Sequence, residues 1–310
     1  MFTKTLRNVR RVGKGRLAIA AVPVAAATGM ALAPFGASHA ATIAAVRPAV
    51  PAASTPAAAL PTLTLTMTGK SIAVGGSLTS GGVRVVSTVT DKAEAADGAE
   101  PILLRLDPGV TYAQFFKVFA KLAGNPNSDP NNLYGWAQIV YDTQANLGKS
   151  SALVDLAPGS YVALDLGTNG TPPNATFTVA KAAHPAVLPK AGATITSIEF
   201  GFKGPAKLRD GEVVRWANAG FLVHMIVGAE APNLATAKKI AADLKAGRDN
   251  AAQALATGFY GWDGGLSHGQ SFESVISQKA GYWVIACFMD TQDGREHTRL
   301  GMERVIKIVK

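Results

Sequence analysis

The strongest constraint on this chain is that it echoes itself. Leu133-Tyr134-Gly135-Trp136 is answered by Phe259-Tyr260-Gly261-Trp262. Ahead of each lies a short β-like run and then an amphipathic helical stretch ending in Ala-Gly, residues 112–124 (YAQFFKVFAKLAG) and 235–247 (ATAKKIAADLKAG). Downstream, residues 158–165 (PGSYVALD) are answered by residues 280–287 (AGYWVIAC). Self-similarity of this kind marks a repeated fold. It divides the chain into one domain over residues 63–182 and a second over 193–310, both of ordinary domain size. Residues 183–192, inside the Pro/Ala-rich stretch KAAHPAVLPKAGA, read as the linker between them.

Between these landmarks the pattern is one of strands. Residues 212–217, 222–227, 272–276, 282–288 and 303–309 are short, rich in β-branched or aromatic side chains, and bounded by Gly, Asn or Asp. Alternation places Trp283, Ile285 and Cys287 on one face, and Leu222, His224 and Ile226 on another. Short strands at this density predict an all-β chain of two tandem Greek-key β-sandwiches, each with a short helical excursion.

The N-terminus has a different character. Lys4, Arg7, Arg10, Arg11, Lys14 and Arg16 precede a weakly hydrophobic run and then Ser38-His39-Ala40. This is the order of a secretory signal peptide, residues 1–40, and it predicts an extracytoplasmic mature protein, secreted or periplasmic. Pro23, Pro34 and the Ala/Gly content argue against an uncleaved membrane anchor. Residues 41–62 are rich in Ala and Pro and read as an extended linker. The formal net charge of +9 is a property of the leader: without its six cations, 24 basic residues face 21 acidic ones. Nucleic-acid binding thereby loses its main support.

The single Cys excludes a disulfide scaffold, a zinc ribbon, a cysteine-ligated iron–sulfur cluster and a two-cysteine copper centre. Five His are too few for a multicopper oxidase. What remains is concentrated in the second segment. His224 lies at a strand after Asn218-Ala219-Gly220, Cys287 ends a strand, His297 falls in the following loop, and Met302 follows Gly301 before the last strand. One thiolate, two imidazoles and one thioether are the donor set of a type 1 copper site, with Met as the long, weak axial ligand. Soft sulfur donors suit Cu(I) and imidazole serves both oxidation states, so such a site binds one copper ion and cycles between Cu(I) and Cu(II).

On these residues the chain resembles the cupredoxin family. Asn218 to His224 (NAGFLVH), Gly281 to Phe288 (GYWVIACF) and His297 to Met302 (HTRLGM) carry the resemblance, the last with the His, four residues, Met ending of plastocyanin-like proteins. It implies a cupredoxin fold for the second segment, with copper held by His224, Cys287, His297 and Met302. Nine residues (FMDTQDGRE) separate Cys287 from His297, a longer loop than in plastocyanin-like proteins. Loops of that length occur at the type 1 sites of copper nitrite reductases, whose second copper centre has no counterpart here. The first segment resembles a degenerate, metal-free copy: Asp165 takes the place of Cys287, and Pro101 falls near that of His224.

Each donor has an ordinary reading as well. A lone Cys is more often a small buried hydrophobe, a His on an apolar strand a satisfied core residue, a loop His exposed, and a Met core filler. Their joint placement favours ligation over all four. His268, in a Gly/Ser turn, reads as exposed, and Lys238, Lys239 and Lys245 as the wet face of a helix or a docking patch for an acidic redox partner. The expected function is an exported one-electron carrier, not an enzyme, acting with a redox protein partner. Copper sequestration or delivery is the alternative, and a metal-free binding module is a third. A cysteine hydrolase lacks the base and oxyanion site that it would need.

Overall fold

The computed structural model describes residues 59–92, 99–123, 129–143, 148–167 and 171–310. The leader and nearly all of the 41–62 linker lie outside the described residues. The chain is all-β, with helices as excursions between strands. Its first half contains β1 (Thr62–Met67), β2 (Ile72–Gly76), β3 (Gly81–Val89), β4 (Pro101–Leu106), α1 (Tyr112–Ala123), β5 (Ala137–Asp142), β6 (Gly148–Leu156), β7 (Gly159–Asp165) and β8 (Asn174–Val179). The second half contains β9 (Ala193–Ile198), β10 (Gly201–Lys203), β11 (Lys207–Arg209), β12 (Val213–Asn218) and β13 (His224–Ala231). There follow α2 (Leu234–Lys245), α3 (Asp249–Leu255), β14 (Gly258–Leu266), β15 (Ser271–Val275), β16 (Gly281–Ala286) and β17 (Glu303–Val309).

Both halves use one strand order. Sheet β2-β1-β3-β6 packs on β5-β4-β7-β8, and sheet β10-β9-β12-β15 packs on β14-β13-β16-β17-β11. In each, the opening strand of the half runs parallel to an inner strand of the same sheet, β1 with β3 and β9 with β12. Small details recur too. Gly159 and Gly281 open β7 and β16 with positive φ, and two residues on, Tyr161 Oη and Trp283 Nε1 donate to the carbonyl four residues back, Ala157 and Lys279.

The Tyr-Gly-Trp echo itself is not an equivalence. Tyr134 follows a one-turn 3-10 helix (Pro130–Leu133) and is 86% exposed, whereas Tyr260 and Trp262 lie inside β14, Trp262 stacked on Trp216 in the core. The halves are also fused more closely than two beads on a linker. β6 pairs antiparallel with β15 through Val154–Phe272 and Leu153–Glu273, so four strands from each half make one eight-stranded sheet. A single apolar core runs under it, from Leu63 and Val85 to Trp216 and Ile308.

Helix α2 shows how local sequence sets the outer layer. Asn233 caps it, its side chain accepting the Thr236 N–H at 2.9 Å. Ala237, Ile240 and Leu244 form the buried stripe, and Ala229, Ala231 and Ala286 on β13 and β16 are small enough to let the helix approach. Lys238, Lys239 and Lys245 face solvent, as their spacing predicts.

Candidate metal centre

His224 begins β13, Cys287 follows the last residue of β16, and His297 opens a 3-10 turn (His297–Leu300) before β17. The three side chains meet with no exposure to solvent. The two Nδ1 atoms are 3.2 Å apart, and Cys287 Sγ lies 3.8 Å from Nδ1 of His224 and 3.3 Å from Nδ1 of His297. A point equidistant from three atoms so spaced lies about 2 Å from each, the length of a protein metal–nitrogen bond and a few tenths of an ångström short of a metal–sulfur bond. The donor set therefore fits a metal ion in size as well as in chemistry. Met302 is fully buried in the same apolar cluster as Cys287, beside the other sulfur side chains Met225 and Met289.

The local backbone explains why these donors converge. The Met225 N–H points at Cys287 Sγ (3.4 Å), and the Cys287 N–H donates to the Met302 carbonyl (3.1 Å). The long Cys287–His297 connection is absorbed in a surface hairpin. Asp290 bridges to Glu296, and the His297 N–H closes the excursion on the Met289 carbonyl at 2.8 Å. Gly301, at φ 100°, then reverses the chain so that the Met302 N–H reaches the His297 carbonyl.

Burial sets the protonation of the donors. It drives His224 down to about 3, helped by the neighbouring His297, and it drives His297 down to about 4. Both imidazoles are neutral across the physiological range, with a lone pair to offer. Burial pushes the Cys287 thiol up to about 12 against the pull of the Met225 and Met289 N–H groups. Metal binding at this site must therefore expel the thiol proton.

Several residues that sequence reasoning passed over hold the site. Asn218 is buried, and its amide donates to the Leu222 and Leu266 carbonyls while its Oδ1 accepts the Gly220 N–H. That knits the approach to His224 onto β14. Asn131, in the first half, accepts the Val223 N–H at 2.7 Å. Residues of β4, β5, β7 and α1 pack in one cluster with Cys287, Met289 and Met302, so the first half forms a wall of the site. Glu199 and Phe200, the turn between β9 and β10, lie over the imidazoles. His268 is exposed, with Nδ1 2.8 Å from the Gly220 carbonyl oxygen.

The first half repeats this frame without the donors. The Glu100 N–H donates to Asp165 Oδ1 as Met225 does to Cys287, and the Asp165 N–H donates to the Pro173 carbonyl as Cys287 does to Met302. This matching puts Ala99, not Pro101, at the position of His224; Pro101 is two residues further on, opposite Asp165 in the β4–β7 ladder. The β-bulges differ as well, that of β4 falling at Leu103/Leu104 against β5 and those of β13 between His224 and Val227 against β14.

No protein-family model matches the sequence, and no curated protein matches it significantly. Among solved structures it is similar to a reduced auracyanin from Roseiflexus castenholzii, at 16% identity over 38% of this chain and 95% of that one, TM-score 0.25. It is similar to a purple cupredoxin from Nitrosopumilus maritimus at 12% identity over 38% of this chain and 99% of that one, TM-score 0.23. A copper-containing nitrite reductase from Thermus scotoductus SA-01 is similar over 80% of this chain and 68% of that one, at 10% identity and TM-score 0.24. Scores this low carry no functional weight, and the site stands on its own geometry. Fold and donors together define an all-β sandwich protein with a buried His-Cys-His cluster fit for a metal ion. Among the described residues no helix is long and apolar enough to cross a membrane.

Proposed function

We propose that this chain is a cupredoxin-like copper protein that binds one copper ion through His224 Nδ1, His297 Nδ1 and Cys287 Sγ, with Met302 as axial ligand, and carries single electrons. What supports this reading is the triangle of buried donors, sized for a metal and composed of one thiolate and two imidazoles. Bound copper would supply one-electron chemistry between Cu(I) and Cu(II). The chain's own residues hold the donors nearly fixed: Asn218 and Asn131 pin the backbone leading into His224, the Met289 carbonyl that of His297, and the Met302 carbonyl that of Cys287. Little reorganisation is then needed when the charge at the site changes. The first half acts as scaffold, a tandem copy of the fold that has lost its donors. Export through the 1–40 leader, into the secreted or periplasmic compartment, and exchange with a redox protein partner complete the proposal.

The test is a visible absorption spectrum of residues 41–310 after Cu(II) loading and desalting, with copper counted on the same sample. One copper per chain with an intense thiolate-to-copper band, bleached by ascorbate and restored by an oxidant, is the expected result. Copper that washes off on desalting would replace the carrier with a sequestration or delivery protein. Folded, colourless, copper-free protein would leave a metal-free binding module.

A further inference from the structure

Ligation through Nδ1 commits each imidazole to carrying its proton on Nε2. In this structure the Nε2 atom of His224 is buried and has no hydrogen-bond partner. A ligand histidine normally donates that N–H to a carboxylate, a carbonyl or water, which fixes the ring and raises its basicity. The acceptor poised to do so is Glu199, whose Oε1 lies 3.9 Å from His224 Nε2.

Three further features converge on this pair. Glu199 Oε1 accepts the N–H groups of Phe221 and Leu222, which aim the carboxylate back toward β13. Phe200 is the one non-glycine residue at positive φ among the described residues (56°), and its ring stands edge-on to His297 at 5.3 Å. A strained phenylalanine is retained only where the surroundings impose it; here the turn must place a carboxylate beside one imidazole and a ring over the other. Finally, Gly220 leaves the gap between the pair open: a Cβ there would sit 2.6 Å from His224 Nε2 and 2.8 Å from Glu199 Oε1.

We infer that Glu199 is the positioning residue of the metal centre, closing onto His224 Nε2–H when His224 ligates through Nδ1, with Gly220 keeping the space for that contact. The inference rests on the copper reading above. The side chain of Glu199 is 44% exposed, so it has room to close the remaining distance without disturbing the core.

The experiment compares wild type, Glu199→Ala, Glu199→Gln and Gly220→Ala, each loaded with Cu(I), which is diamagnetic. Long-range proton–nitrogen NMR reads the two ligand Nε2–H groups, and competition with a Cu(I) chelator reads affinity. Glu199→Ala should shift the His224 Nε2–H, leave that of His297 in place, and weaken Cu(I) binding about 10- to 100-fold. Glu199→Gln keeps an acceptor oxygen and should recover most of that loss. A Cβ at Gly220 would crowd both Glu199 Oε1 and the His224 ring, so Gly220→Ala should shift the His224 Nε2–H at least as far as Glu199→Ala does. Wild-type affinity and an unshifted His224 Nε2–H in Glu199→Ala would overturn the positioning role while leaving the copper site standing. Failure of the wild type to take up Cu(I) would overturn the copper reading itself, and this inference with it.

Discussion

The two halves of this protein present the same backbone pocket with different chemistry in it. In the second half a strand-end sulfur, Cys287 Sγ, takes a backbone N–H from Met225, and the Cys287 N–H is tied to the carbonyl of Met302. In the first, the carboxylate of Asp165 takes the N–H of Glu100, and the Asp165 N–H is tied to the carbonyl of Pro173. Both halves place a side-chain acceptor at this strand end, and the second half alone sets two imidazoles beside it. With Ala99 at the position of His224 and Pro173 at that of Met302, the first pocket has neither donor, and its hydrogen-bond frame is the same. The turns between the first two strands differ in the same sense. The first half places glycine (Gly69, φ 76°) at the left-handed position, where the second accepts strain to place Phe200. Geometry that costs nothing serves the scaffold, and strained geometry stands at the site.

The largest expected contrast between the pockets is in colour. Cys287→Ala should abolish the thiolate-to-copper absorption of the loaded protein while leaving it folded, whereas Asp165→Ala should leave the band intact and cost about 1–3 kcal/mol, because the Glu100 and Gly167 N–H groups lose their acceptor. A band that survives in Cys287→Ala would refute the site.

Next comes the question of whether the halves stand or fall together. Trp262 packs on Trp216 and Trp283 beneath the shared sheet, and Trp262→Ala should cost about 3–5 kcal/mol. Since β6 and β15 join the halves, urea unfolding followed by tryptophan fluorescence and by circular dichroism should give one coincident transition. Two separated transitions would show that the seam does not couple them.

A smaller effect comes from the seam itself. Asp142 is fully buried between the halves, neither of its carboxylate oxygens has a hydrogen-bond partner, and it packs against Gly264. Burial, with Glu100 and Asp263 nearby, holds Asp142 well above the usual carboxylate range, and burial does the same for Asp263. The folded protein then binds more protons than the unfolded one, so this contribution is greatest below the unfolded carboxylate value and is lost as pH rises through the folded one. Asp142→Asn should stabilise the protein by about 1–3 kcal/mol at pH 8, with the gain vanishing toward about pH 4. Denaturant midpoints at the two pH values measure this, and an equal gain at both would disprove the linkage. At the bottom of the scale, Arg295→Ala removes an ion pair with Asp293 in which both partners are exposed, and should leave the denaturant midpoint unchanged.

Much of this was legible in the residues. Period-two alternation gave the strands, the amphipathic stretch ending in Ala-Gly gave α2, and the donors His224, Cys287 and His297 stood out because those residue types are scarce in this chain. Asp165 was correctly matched with Cys287 because the flanking glycine and aromatic recur at the same offset. The Tyr-Gly-Trp echo, in contrast, was a resemblance of letters: one copy is a solvent-facing turn and the other a core strand.

The sequence by itself determined which side chains could serve as metal donors and which strands would present them, since both depend on residue type and local period. Only the tertiary structure decided that three of those donors share one buried triangle, that the first half walls it in, and that Glu199 and Phe200 lie over it. Those relations join residues far apart in the chain, Asn131 with Val223 and Glu199 with His224, through strand pairing and packing. No local pattern encodes that kind of contact.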